Sequence, residues 1–170
     1  LIDTSGGYQG GRSEVSIGIA LQQWYKSGGQ RKDLILSTKT GTRTRPHDYS
    51  AEGTRRSIEM SLEALQTHYL DIALIHDPAD LKPVLASGNA WDVLKDYKEK
   101  GVVRAIGLGV HTQALHRRMI RTGECDVCLT HSDFHLLNQS AVRGVLEPAS
   151  ASGVGILNGS SLAMGLLSGE

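Results

Sequence analysis

The sequence predicts an α/β fold built from repeated strand–helix units around a parallel sheet. Three observations carry this. Short runs rich in Leu and β-branched residues alternate with longer stretches of helical period, apolar residues in those stretches recur at i, i+4, i+7, and capping residues stand at the joints. Six strands are expected: the chain start through Asp3, Leu34 to Lys39, Leu70 to His76, Val103 to Leu108, Asp126 to Ser132, and Val154 to Asn158. Ile17, Leu21 and Trp24 share one helical face, as do Ile58, Leu62 and Leu65, so both helices can cover a sheet. Ser13 and Ser50 are placed as N-caps, Asn89 precedes a helix over Ala90 to Lys100, Thr112 precedes the next, and Gly101 and Gly123 end two of them. Pro148 has no N–H and interrupts a helical pattern from Ser140 to Ser152. A turn is therefore expected near Glu147, with Pro148 opening a second short segment.

The 170 residues suffice for one domain with a substantial core but fall short of the roughly 250 typical of a closed eight-unit barrel. Eighteen Lys and Arg balance eighteen Asp and Glu, so no strong field recruits nucleic acid or an anionic membrane, and a small-molecule partner is expected. Apolar runs such as Ile72 to Ile75 are far shorter than the about 20 residues of a membrane span. The chain starts without Met and without the basic and apolar regions of a leader, which makes the cytoplasm the default location.

Cys125 and Cys128 stand too close together to staple a domain and read as reduced thiols. With His131 and His135 they spell C-x-x-C-x-x-H-x-x-x-H, a superficial zinc pattern. Alternation within a strand sends neighbours to opposite faces, so these four ligands are not expected to converge and no metal is assigned. Trp24, Trp91 and Phe134 read as core or pocket lining. The loop Gly41 to Asp48 lies at a strand's C-terminal end, where barrel enzymes keep working loops, and reads as an ordinary connection. Arg43, Arg45, Arg55 and Arg56 read as a solvated loop and helix face.

Alternation alone leaves a barrel sector and an open doubly wound sheet equally open, so the strand ends must decide. Polar residues fall at the C-terminal ends of the first three strands: Asp3 with Tyr8 just after it, Lys39, and His76. In a barrel such ends converge on one mouth. A buried Lys beside a Tyr favours tyrosinate, and a carboxylate beside the Lys keeps it charged. The phenol then exchanges protons near neutral pH, while an imidazole donates to an oxygen on which negative charge grows.

These residues stand in recognisable segments. Ile2-Asp3-Thr4 with Tyr8, Ser13-Glu14 and Ile17-Gly18 come first, followed by Ser37-Thr38-Lys39. Leu62-Glu63-Ala64-Leu65 leads into Tyr69-Leu70-Asp71-Ile72 and Ile75-His76, and Gly101 precedes Arg104-Ala105-Ile106-Gly107. In this order the segments resemble the aldo-keto reductase family over nearly the whole chain. The resemblance implies a parallel (β/α)8 TIM barrel, present as an incomplete sector of about six strands (family strands 2 to 7). Residues 1–170 then form a single domain lacking the first and eighth strands, part of a longer natural chain.

The resemblance also implies an NAD(P)-dependent oxidoreductase, using NADP or NAD, that acts on an aldehyde, ketone or sugar hydroxyl. Tyr8 is its proton donor or acceptor, Lys39 tunes Tyr8, Asp3 pairs with Lys39, and His76 orients the carbonyl. His131 stands about where a cofactor-binding Gln is common, and Ser160 and Leu162 match positions near the diphosphate. Gly109-Val110 replace Ser-Asn, and Gly159 replaces a stacking aromatic residue. Phe134 to Leu137 and Ser161 to Leu167 look closest to the branch of sugar dehydrogenases acting on fucose, galactose or related aldoses. The alternative is a non-catalytic scaffold or regulatory subunit in which the tetrad survives as ancestry.

Overall fold

The computed structural model describes residues 1–169. In chain order the regular elements are β1 (Ile2–Asp3), α1 (Arg12–Lys26), β2 (Leu36–Thr40), α2 (Ala51–Leu65), β3 (Leu70–His76), α3 (Lys82–Leu85), α4 (Ala90–Glu99), β4 (Val103–Gly109), α5 (Gln113–Ile120), β5 (Val127–His131), α6 (Glu147–Ala151) and β6 (Gly155–Gly159). The six strands lie in the order β1-β2-β3-β4-β5-β6, and β1 with β2, β2 with β3, β4 with β5, and β5 with β6 run parallel. Spatial order equal to chain order, with a helix between successive strands, is the βα repeat that the alternation predicts. The chain divides into two compact units, Leu1–Ile106 and the part from Gly107 onward.

In the first unit β2 is buried along its whole length and β3 along all but its last residue, as strands covered on both faces must be. Ile58 and Leu65 of α2 are buried, as are Leu36, Leu74 and Ile75 of the sheet. A polar anchor sets the starting ends of the strands. Asp71 accepts from Arg31 at 2.7 Å, from Arg104 at 2.9 Å and from the Leu36 amide at 2.9 Å, and both guanidiniums stack on the Tyr69 ring. Arg31 also takes the Leu34 carbonyl, which explains why β2 begins at Leu36, two residues later than expected.

Ser50 caps α2 as expected, accepting from the Gly53 amide. Ser13 does not cap α1. That helix starts at Arg12 after the left-handed Gly11, and the Ser13 hydroxyl pairs with Thr4 Oγ1 at 2.8 Å instead. Asn89 and Thr112 precede α4 and α5 without a side-chain cap, Asn89 donating to the Pro83 carbonyl. Gly101 and Gly123 follow the two helix ends with positive φ, the left-handed exit that glycine adopts freely.

In the second unit Pro148 stands in the first turn of a short second segment, α6, as expected, but the expected turn before it is corrected. Leu146 and Glu147 keep helical dihedrals, so the chain does not turn near Glu147. A widened π-helical turn over Val142–Leu146 runs directly into α6, and the wider turn accommodates the amide that Pro148 lacks.

The helices of the first unit meet at a glycine. α1 buries Glu14, Gly18 and Leu21, and a Cβ at Gly18 would stand 2.1 Å from the Ala64 carbonyl oxygen near the end of α2. Gly18→Ala gains about 1 kcal/mol of helix propensity but forces two backbones apart, a strain of roughly 1–3 kcal/mol or more, so a net loss is expected. Urea unfolding should show a lowered midpoint for Gly18→Ala; an unchanged or raised midpoint would contradict this packing.

Candidate active site

Three adjacent strand ends of the first unit build the site. Lys39, near the end of β2, has a side chain only 1% exposed, and its ammonium donates to Asp3 Oδ2 at 2.5 Å and to the Thr4 carbonyl at 2.7 Å. Ser37, two residues earlier and on the same face, donates to the other Asp3 oxygen at 2.7 Å. Both partners of Lys39 lie in one short segment because β1 pairs in register with β2, Asp3 opposite Ser37.

Beyond Asp3 the chain turns tightly through Tyr8–Gly11, with Gln9, Gly10 and Gly11 all at positive φ. The turn sets the Tyr8 ring with its centroid 4.9 Å from the Lys39 ammonium, within cation–π range. The ring meets the His76 imidazole edge-on, centroids 5.7 Å apart, while Tyr8 remains 42% exposed. The structure thus brings Asp3, Tyr8, Lys39 and His76 together.

His76 closes β3 and is held from several sides. Its Nδ1 lies 2.7 Å from Thr42 Oγ1 and 3.1 Å from Ser5 Oγ, and its carbonyl accepts from the Tyr49 hydroxyl at 2.8 Å. Nε2 is 3.6 Å from the Asp77 carboxylate. Burial drives the imidazole down from 6.5 to about 4. Asp77 and then Asp3 pull upward, Lys39 and His47 push further down, and desolvation wins. Above pH 5 the ring is therefore neutral and carries a single N–H. Burial, with the Asp77 charge adding to it, pushes the Tyr49 hydroxyl up to about 12, so it remains a donor.

The loop from Gly41 to Asp48 contributes more than an ordinary connection. Arg43 is not a solvated loop residue, for its guanidinium reaches Glu14 at 2.7 Å and Ser61 Oγ at 2.9 Å, and Glu14, fully buried, also accepts from Thr38 at 2.6 Å. This pairing ties the loop that carries Thr42 and Tyr49 to α1 and α2. Glu14 sits within the quoted family segment, but its charge alone gave no sign of burial. Ser5, Thr42 and Tyr49 carry no spacing signal, since a hydroxyl in a loop is ordinary until folding sets it beside His76.

In the second unit His131 ends β5 in register with Gly159 of β6, and its ring meets His111 edge-on at 4.5 Å. Ser160 follows with positive φ, its Oγ accepting from the Met164 amide, and Leu162 is 56% exposed. Val110 is buried, with its carbonyl 3.0 Å from His116 Nε2, and offers no polar side chain where Asn is common. Cys125 and Cys128 are free, buried, and 3.9 Å apart at sulfur. Among the described residues no three His, Cys, Asp or Glu side chains form a group that could hold a metal ion, and no helix is long and apolar enough to cross a membrane.

Comparison with known proteins gives concordant results. The sequence model described as the aldo/keto reductase family matches residues 1–170. L-galactose dehydrogenase of Arabidopsis thaliana is 35% identical over 97% of this chain and 51% of its own length. D-threo-aldose 1-dehydrogenase of a Pseudomonas species is 29% identical over 97% of this chain and 56% of its own. The chain thus spans about half the length of these relatives. In fold it is similar to an aldo-keto reductase of Bacillus halodurans in its holo form, with a TM-score of 0.83 and 23% identity over 99% of this chain and 54% of that one.

The His76 environment has a measurable signature. Its imidazole C–H resonance should titrate with a midpoint near 4, displaced from 6.5 mainly by burial. Because the folded value lies below the unfolded one, the neutral ring's contribution to stability is complete above about pH 6.5 and is lost as pH falls towards 4. His76→Gln should flatten that part of the stability profile; a midpoint at or above 6.5 would show that the ring is solvated.

Proposed function

We propose, for a chain that belongs to the aldo/keto reductase family, that it forms part of a nicotinamide-dependent oxidoreductase acting on an aldehyde, a ketone or a sugar hydroxyl. The observation that carries the reading is the buried Lys39, paired with Asp3 and set against Tyr8 and a neutral His76. A bound nicotinamide would supply or accept the hydride, and NADP and NAD are both admitted.

The chain's own residues manage the proton and the charge. The Tyr8 hydroxyl gives a proton to the substrate oxygen in reduction and recovers it in oxidation. The Lys39 ammonium, held by Asp3 and Thr4 and 4.9 Å from the Tyr8 ring centroid, opposes the negative charge that then develops on the phenol. Neutral His76 offers one N–H to the same substrate oxygen and fixes its position. His131, Ser160 and Leu162 are the residues assigned to the cofactor. Sugars are the proposed substrate class, in keeping with the two dehydrogenase relatives.

Tyr8→Phe in the full natural chain should fold normally and bind nicotinamide cofactor as the wild type does, yet lose turnover by a factor on the order of 10² or more. Quenching of NADH and NADPH fluorescence reads cofactor binding, and aldose oxidation reads turnover. Equal turnover in the two proteins would remove Tyr8 from the chemistry, and failure of both cofactors to bind would favour a scaffold.

A further inference from the structure

We propose that Ser5 and Thr42 are positioning residues that hold His76 in the tautomer bearing its proton on Nε2. The assignment rests on the oxidoreductase reading only for its catalytic consequence; the tautomer itself follows from counting protons around Nδ1.

Two hydroxyl oxygens face that nitrogen, Thr42 Oγ1 at 2.7 Å and Ser5 Oγ at 3.1 Å. The Ser5 oxygen already accepts from the Gly7 amide at 3.2 Å, which leaves it one lone pair and its own O–H to place. Thr42 Oγ1 bonds to no other protein atom among the described residues. Suppose Nδ1 carried the proton. It would donate to one hydroxyl oxygen, and the O–H groups of both Ser5 and Thr42 would have no protein acceptor, although Ser5 is fully buried. A buried donor without a partner loses the hydrogen bond it had in water and is disfavoured. Suppose instead that Nδ1 is bare. Its lone pair then receives the Thr42 O–H at the short distance and shares the Ser5 O–H at the longer one. The second arrangement leaves fewer donors unmet, and a preference of about 1.4 kcal/mol already populates it tenfold.

Nε2 points the same way. Its nearest charged neighbour is the Asp77 carboxylate, whose oxygen at 3.6 Å is beyond a hydrogen bond but favours a proton on the nitrogen facing it. Among the described residues Nε2 has no hydrogen-bond partner, so its N–H is available to a substrate oxygen. The opposite tautomer would present a lone pair to that oxygen and repel it. Thr42 is held in place because the next residue, Arg43, is locked to buried Glu14, so the tautomer depends on a loop anchored outside the tetrad.

Long-range proton–nitrogen correlation spectra of the nitrogen-15-labelled full natural chain at pH 7 read the tautomer without any turnover. The wild type should show His76 protonated at Nε2 and bare at Nδ1, and Thr42→Ser, which keeps the hydroxyl, should show the same pattern. The double substitution Ser5→Ala with Thr42→Val should shift the pattern towards a mixture and lower kcat on the order of tenfold, with KM for the cofactor unchanged. A wild-type His76 protonated at Nδ1, or a double variant with the wild-type pattern, would overturn the proposal. If the wild type shows the Nε2 proton and the variants respond as stated while no turnover is found in any of them, the tautomer assignment stands and the oxidoreductase reading fails.

Discussion

The first unit is organised around one ammonium group that has been taken out of water. Removing a charge of this kind from solvent costs several kcal/mol even after relaxation, and the cost is offset only where geometry supplies close, well-directed partners. Lys39 has a carboxylate and a carbonyl within 2.7 Å, from the last residue of β1 and the residue after it. Asp3 is in turn fixed by Ser37. Parallel pairing of β1 with β2 is thus a condition for burying Lys39, and the tight turn after Asp3 sets Tyr8 over the charge.

A second network meets the first at His76. Glu14 has no exposure and holds Arg43 and Thr38, while Arg43 reaches the Ser61 hydroxyl of α2. The loop after β2 is therefore pinned to two helices; through Thr42 it sets a hydroxyl against the imidazole, and through Tyr49 it holds the His76 carbonyl. Burial keeps that imidazole neutral although two carboxylates stand nearby. A neutral ring directs one N–H, whereas an imidazolium would direct two and would be drawn towards Asp77. The same burial that costs solvation therefore makes His76 a donor with a defined direction.

Much of this architecture could be read from residue order. All six strands fall within two residues of their expected ends, because runs such as Leu70 to His76 are buried on both faces and their composition says so. The convergence of Asp3, Lys39 and His76 was legible because these three sit at or near strand ends, with Tyr8 in the turn after the first. Other features were written in distance and not in pattern. Ser13 looks like a cap until Thr4 competes for its hydroxyl, and Arg43 looks solvated until Glu14, from a helix that shows an apolar stripe, proves to be buried. Pro148 does end a regular hydrogen-bond ladder. Its effect was absorbed by a wider turn over Val142–Leu146, an outcome that depends on packing. Ser5 and Thr42 gave no signal, for only folding sets them beside an imidazole.

Asp3 and Lys39, joined at 2.5 Å, are expected to act as one device and not as two independent contributors. A double-mutant cycle on turnover tests this directly, using Asp3→Asn, Lys39→Met and the pair together in the full natural chain. Asp3→Asn leaves a buried ammonium without its counter-charge, and Lys39→Met removes the ammonium that Asp3 serves. If the two residues form one unit, the double variant should turn over no more slowly than the slower single variant, giving a coupling energy of about 1 kcal/mol or more. Losses that multiply, so that the double variant falls by the product of the two single effects, would show that Asp3 and Lys39 act separately and would contradict the account.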